Sequence, residues 1–185
     1  MKMKYLLLVV MLFAFFSAKT QNNENFENRS SYFSYGFSIK QYQNDFGLGL
    51  NVTTPYFWNN RMAVRLKTSY LWYEHIPLND TEYVWSGYQN IQFGLIGIGG
   101  MIGTSIRLYG EGGIVGIFPN SAFSDKDFVF GGYGLFGFEF YTYEKDIRTP
   151  SYYIEIGSIG SASADKLQAN PVYSNGLTIS AGIRF

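Results

Sequence analysis

From residue 32 onward the chain alternates large apolar side chains with small or polar ones in eight separate runs. All charged residues inside those runs fall on the face opposite the apolar one. A period of two is the mark of a β-strand with two unlike faces. Phe33, Tyr35, Phe37 and Ile39 oppose Ser34, Gly36, Ser38 and Lys40 in the first run, residues 32–40. Phe46, Leu48, Leu50 and Val52 oppose Gly47, Gly49, Asn51 and Thr53 in the second, 46–56. Met62, Val64, Leu66, Thr68, Tyr70 and Trp72 face away from Ala63, Arg65, Lys67, Ser69 and Tyr73 in the third. The fourth sets Ile91, Phe93 and Leu95 against Asn90, Gln92 and Gly94; the fifth sets Ile106, Leu108 and Ile114 against Arg107, Tyr109 and Glu111. The sixth sets Phe130, Phe136, Phe138 and Phe140 against Tyr133, Leu135 and Glu139. In the seventh, Tyr152, Ile154 and Ile156 oppose Tyr153, Glu155 and Gly157. The eighth sets Leu177, Ile179, Ala181, Ile183 and Phe185 against Gly176, Thr178, Ser180, Gly182 and Arg184.

A strand of about ten residues tilted by about 40° spans an apolar band of roughly 25 Å. The expected fold is therefore all-β: an eight-stranded antiparallel transmembrane up-and-down barrel, apolar faces to lipid. The lumen then receives Lys40, Arg65, Lys67, Arg107, Glu111, Glu139, Glu155 and Arg184, five bases and three acids. A base turned to lipid would cost about 2–4 kcal/mol at mid-bilayer. Arg107 and Glu111 stand about 13 Å apart along one strand, too far to pair. Glu139 and Glu155 are the expected partners of Arg107 and Arg184, with Arg65 or Lys67 for Glu111. A soluble, lipocalin-like barrel is the alternative; it would reverse the faces and put the charges outside.

The connections alternate in character. Those after strands two, four and six are Trp58–Arg61, a Gly-rich turn at residues 97–104, and residues 142–150. Those after strands three, five and seven are richer in Asn, Asp, Ser and Pro: residues 74–87, 118–127 and 159–172. Short turns on the periplasmic side and long loops outside are the usual asymmetry. The first connection, residues 41–45, is short and breaks the rule.

Residues 1–20 carry Lys2 and Lys4, then an apolar run from Tyr5 to Phe16, then Ser17 and Ala18. This is the layout of a cleaved secretory signal peptide, and the run is short for a membrane-spanning helix. Cleavage after Ala18 and after Thr20 fit equally. No Cys follows the apolar run, so it is not a lipoprotein leader. Residues 21–30 read as a flexible polar segment, leaving residues 31–185 for the barrel.

Composition excludes several functions. Lys+Arg and Asp+Glu balance at 14 each, without the basic excess of a nucleic-acid binder. The absence of Cys removes disulfides, Cys-based zinc sites and thiol nucleophiles. One histidine, His75, does not make a His-rich metal site. No cofactor and no metal are expected.

With these features the chain resembles eight-stranded outer-membrane proteins of the OmpA/OmpX-like class, over residues 31–185. The resemblance rests on the leader, the eight runs and the ending TISAGIRF. Such barrels commonly finish on an aromatic residue preceded by alternating apolar positions, which the barrel assembly machinery reads. Phe185, Ile183 and Thr178 match that pattern; Ser180 stands where it commonly has Gly. Heavy Tyr and Phe usage with low charge also resembles small barrels of Bacteroidetes-type bacteria. The resemblance implies a bacterial outer-membrane location, with lipid and the assembly machinery as partners.

Other motifs carry less. GIGGMIG at residues 97–103 lacks the third glycine of a dinucleotide fingerprint and no helix pattern follows, so it reads as a tight turn. Gly110, Gly112, Gly113, Gly131, Gly132 and Gly134 read as sheet curvature and room for aromatic rings. Three matches to the glycosylation sequon, beginning at Asn28, Asn51 and Asn79, carry no meaning in a bacterial barrel. Trp58, Trp72, Trp85, Tyr56, Tyr70, Tyr141 and Tyr152 lie near run ends, where aromatic girdles sit. Small barrels that modify lipid A use a His and a Ser, but no Ser lies within two residues of His75. The reading is a non-enzymatic membrane anchor with binding in its external loops, their ligand unknown. The rivals are a narrow solute channel and a lipid-modifying enzyme.

Overall fold

Eight strands follow one another around a closed ring in the computed structural model, which describes residues 32–42, 45–77, 81–142, 150–161 and 173–185. They are β1 (Ser34–Tyr42), β2 (Asp45–Thr53), β3 (Met62–His75), β4 (Val84–Ile102), β5 (Ile106–Phe118), β6 (Val129–Tyr141), β7 (Ser151–Ser161) and β8 (Gly176–Arg184). Each pairs antiparallel with its chain neighbours, and β1 pairs with β8 from Gly36↔Arg184 to Tyr42↔Thr178. Backbone bonds between Tyr35 and Phe185, 3.0 and 2.8 Å, carry that seam one step further. Closure leaves no strand edge unpaired. The leader and residues 21–30 lie outside the described residues, as do most of the connections at 142–150 and 159–172.

The faces sort by sequence parity. β2 alternates buried and exposed residues without a fault, Asp45, Gly47, Gly49, Asn51 and Thr53 inward. Outside, Leu50, Leu66, Phe93, Ile114, Ile154 and Ile179 form a belt of exposed apolar side chains. Inside, all eight charges named above are buried. The lipocalin-like reversal is therefore not what the chain adopts. We call the end carrying Ser34 and Arg184 the near end, and the end carrying Tyr42 and Val84 the far end.

Several sequence expectations shift. Residues 97–102 are not a turn: β4 runs through them to Ile102, with a bulge between Ile98 and Gly100, and the chain reverses around Gly103, whose φ is 60°. Pairing with β5 outweighs the low strand propensity of glycine. The far connection between β3 and β4 shrinks correspondingly, because both strands extend to His75 and Val84. Two of the glycines clustered on β5 and β6, Gly113 and Gly131, make room for backbone rather than for rings. A Cβ at Gly113 or Gly131 would strike neighbouring backbone, 2.1 and 2.5 Å away, while one at Gly134 would meet open space. Rings lie over Gly94 and Gly137, among others, where a Cβ would come within 2.1 Å of Tyr133 and 2.2 Å of Tyr109.

Candidate functional site in the lumen

The lumen holds three layers, built by inward residues of strands distant in sequence. In the middle layer, β3 supplies Arg65 and Lys67, β5 supplies Glu111 and β7 supplies Glu155. Arg65 Nη1 donates to Glu111 Oε2 at 2.7 Å and to Glu155 Oε1 at 2.8 Å. Lys67 Nζ lies 3.0 Å from a carboxylate oxygen of each acid. The acids gain neutral donors too: Tyr133 Oη to Glu111 at 2.7 Å, Tyr109 Oη to Glu155 at 2.7 Å, and Ser180 Oγ to Glu155 at 3.0 Å. Arg65 Nε reaches Thr53 Oγ1 at 2.8 Å. Lys40 donates to Gln92 Oε1 at 2.8 Å and makes no ion pair among the described residues.

At the near end one carboxylate serves two guanidiniums. Glu139 Oε2 accepts from Arg107 Nε at 2.9 Å, from Arg107 Nη2, and from Arg184 Nη1 at 2.9 Å. Its Oε1 accepts from Ser151 Oγ at 2.6 Å. Arg184 lies over the Tyr153 ring, 4.8 Å from its centroid, and Arg107 lies over Tyr56 at 4.9 Å and Tyr141 at 5.5 Å. Tyr56 and Tyr141 thus belong to the near mouth of the lumen rather than to an outer girdle. Trp58 and Tyr152 on the near rim, and Tyr70 and Trp85 toward the far end, do face outward and are exposed. Trp72 packs against Phe46 and Tyr70, with ring centroids 6.0 and 5.1 Å away.

The pairing differs from the sequence expectation in one respect. Glu155 joins Arg65 and Lys67 across the barrel, not Arg107 or Arg184. Which inward residues share a level depends on the stagger of the strands, which alternation does not reveal.

The far end was missed. Asp45, read as part of a turn, is the first residue of β2 and is buried facing inward. It accepts hydrogen bonds from Tyr88 Oη and, at 2.6 Å, from the Ser174 amide. Ser174 Oγ also meets Tyr88 Oη at 2.8 Å and Asn90 Nδ2 at 3.3 Å. Phe123 and Tyr173, from the connections after β5 and β7, are buried over this group; their rings stack edge-on at 4.9 Å. Extending the second run back by one residue from Phe46 would have placed Asp45 inward.

His75 and Ser86 form a pair that sequence spacing hid. His75 Nε2 lies 2.8 Å from Ser86 Oγ, eleven residues away in sequence and on the adjoining strand. His75 Nδ1 has no hydrogen-bond partner among the described residues, and none of their carboxylates orients the ring. Thr178, Ile183 and Phe185 lie on or just beyond the closing strand: Thr178 opposite Tyr42, Ile183 opposite Phe37, and Phe185 exposed beyond β8. Among the described residues no group of His, Asp or Glu has the arrangement of a metal site.

No protein-family model matches this chain, and no curated protein matches its sequence. Among solved structures it is similar to the N-terminal β-barrel domain of Pseudomonas aeruginosa OprF, with a TM-score of 0.51. The two are 15% identical, over 83% of this chain and 95% of that domain. The likeness is one of fold: this chain is an all-β, closed, eight-stranded antiparallel barrel similar to that β-barrel domain.

Proposed function

We propose that this chain is an integral outer-membrane β-barrel protein of the OmpA/OmpX-like kind, delivered across the inner membrane by its leader and acting as a non-enzymatic anchor. The inverted distribution of side chains carries this reading: an apolar belt outside and buried, mutually compensating charges inside. Such an exterior is an interaction surface far beyond what a soluble monomer exposes. In lipid the closed ring satisfies every strand, as a spanning structure must. The far-end connections are the surface for any binding partner.

Two observations weigh the rivals. The space among Lys40, Lys67, Gln92 and Glu155 is about 10 Å³, room for about one water at most. That supports an anchor over an open channel. The Ser86–His75 contact favours a hydrolase as the second reading; labelling of Ser86 by a fluorophosphonate in intact cells would promote it.

The anchor reading is tested by refolding. The chain without its leader should fold in detergent micelles or lipid and aggregate in buffer alone; a soluble, β-rich monomer in buffer would overturn it. Leu66→Arg, on the belt, should weaken folding into lipid by about 2–4 kcal/mol. The reading fails if Leu66→Arg folds into lipid as readily as the parent. The assembly machinery is the proposed partner in cells. Deleting Phe185 should lower the amount of barrel in the outer membrane, measured by surface labelling; an unchanged level argues against recognition through TISAGIRF.

A further inference from the structure

The outer wall is not covered evenly by side chains. A groove of about 570 Å³ lies on it at the near end; its lining includes Trp58, Asn59, Arg61, Met62, Gly97 and Gly110. Met62, Gly97 and Gly110 are cross-strand partners in one row over β3, β4 and β5. Their chain neighbours Ala63, Ile96, Tyr109 and Glu111 are buried in the lumen, so the row faces out. Two adjoining glycines leave the floor as bare backbone, and a Cβ at Gly97 would meet nothing within 4 Å. The next outward row toward the far end, Val64 with Leu95, leads into the apolar belt. Asn59 and Arg61 stand at the near rim, on the connection between β2 and β3.

That connection holds a bulky residue in an unfavourable backbone shape. Trp58, Asn59 and Asn60 all have positive φ, 49°, 56° and 56°. Asn tolerates this region; a residue as large as Trp rarely enters it. Backbone bonds between Phe57 and Met62, 2.7 and 3.1 Å, keep the turn closed. Trp58 is nevertheless 74% exposed, so packing against the chain recovers little of the strain. Strain of this kind gathers where a ligand is clamped.

We propose that this groove holds one acyl chain of a phospholipid, laid on Gly97 and Gly110 and clamped by the Trp58 ring, with the headgroup at the polar rim. The inference rests on the membrane-barrel reading above. Continuity with the belt selects lipid as the occupant, because the groove opens onto the surface that lipid covers in that reading. An apolar trench with a polar end also has the shape of an amphiphile. Bare backbone at the glycines lets a flexible chain approach more closely than a wall of side chains does. Trp at such a boundary offers an apolar body to the chain and an N–H to the headgroup level.

The test refolds the full barrel with dioleoylphosphatidylethanolamine, exchanges it into lipid-free non-ionic micelles and reads the retained species by native mass spectrometry. The parent should be a monomer carrying one phospholipid. A Cβ at Gly97 has open space, so Gly97→Leu should fold like the parent, fill the floor and retain no lipid. Gly160→Leu, equally open but on β7, should retain it. Trp58→Gly relieves the left-handed strain; it should unfold at no lower a temperature than the parent in lipid-free micelles, yet lose most of the lipid. A folded parent without lipid, or a Gly97→Leu or Trp58→Gly variant that retains it like the parent, overturns the proposal. Loss from Gly160→Leu as well overturns it in favour of an ordinary lipid annulus. A parent dimer that Gly97→Leu breaks makes a second copy the occupant and overturns it too. A parent that does not fold in detergent would instead overturn the membrane-barrel reading on which the inference rests.

Discussion

The two halves of the lumen solve the same problem with different chemistry. Both must fill a narrow space with side chains that satisfy one another. The near and middle layers do it with ion pairs: Arg65 reaches across the barrel to Glu111 and Glu155, and Glu139 holds Arg107 from the adjoining strand and Arg184 from beyond β7. The far layer does it with rings and neutral donors around one acid, Asp45, and brings Phe123 and Tyr173 in from connections rather than strands. The ionic layers tie strand to strand. The aromatic layer ties the far connections to the wall. Damage should therefore spread differently from the two: removal of one ion strands its partners, whereas removal of one ring loosens a single connection.

The largest effect should come from Glu139→Ala. It strips both near-end arginines of their carboxylate and should cost about 3–5 kcal/mol in denaturant unfolding. A cost near zero would mean the layer is wet and the contrast between halves is empty. Phe123→Ala comes next, about 3 kcal/mol, at the low end for a buried ring because a connection collapses more readily than a wall. Its distinguishing sign is local. Limited proteolysis within residues 119–128 should accelerate while the strands stay protected, which Glu139→Ala should not reproduce. The smallest is Tyr88→Phe, about 1–2 kcal/mol, because Asp45 keeps the Ser174 amide when it loses the phenol. Faster hydrogen exchange confined to Ser174 would show that the Asp45 contact pins this connection; no change there would remove Asp45 from the account.

Alternation made the barrel legible, because a period of two with every charge on one face leaves few folds open. It also assigned the lumen side of Arg65, Lys67, Glu111 and Glu155 and matched Glu111 with Arg65 or Lys67, as observed, but it gave Glu155 the wrong bases, since pairing across a barrel follows stagger and not parity. Asp45 escaped because a charged residue beside a short connection looks like part of the turn. Residues 97–102 misled in the opposite sense: glycines that read as a reversal are strand, held by the ladder to β5. Tyr56 and Tyr141 near run ends resembled girdle residues, but the guanidinium of Arg107 draws their rings inward. Ser86 and His75 were separated by a connection whose length the sequence overstated.

The seam between β1 and β8 has a consequence in time. Arg107 and Glu139 are direct cross-strand partners on adjoining strands, so that pair can form as soon as β5 and β6 meet. Arg184 can join the same carboxylate once β7 and β8 have added to β6, whereas the pairing of β8 with β1 spans nearly the whole described chain. Contacts so distant in sequence form late and slowly. Until they do, β1 and β8 both present open edges, the templates on which chains aggregate. The interval between synthesis and sealing is thus the molecule's most vulnerable period, and any surface that offers a strand edge to either side of the seam shortens it.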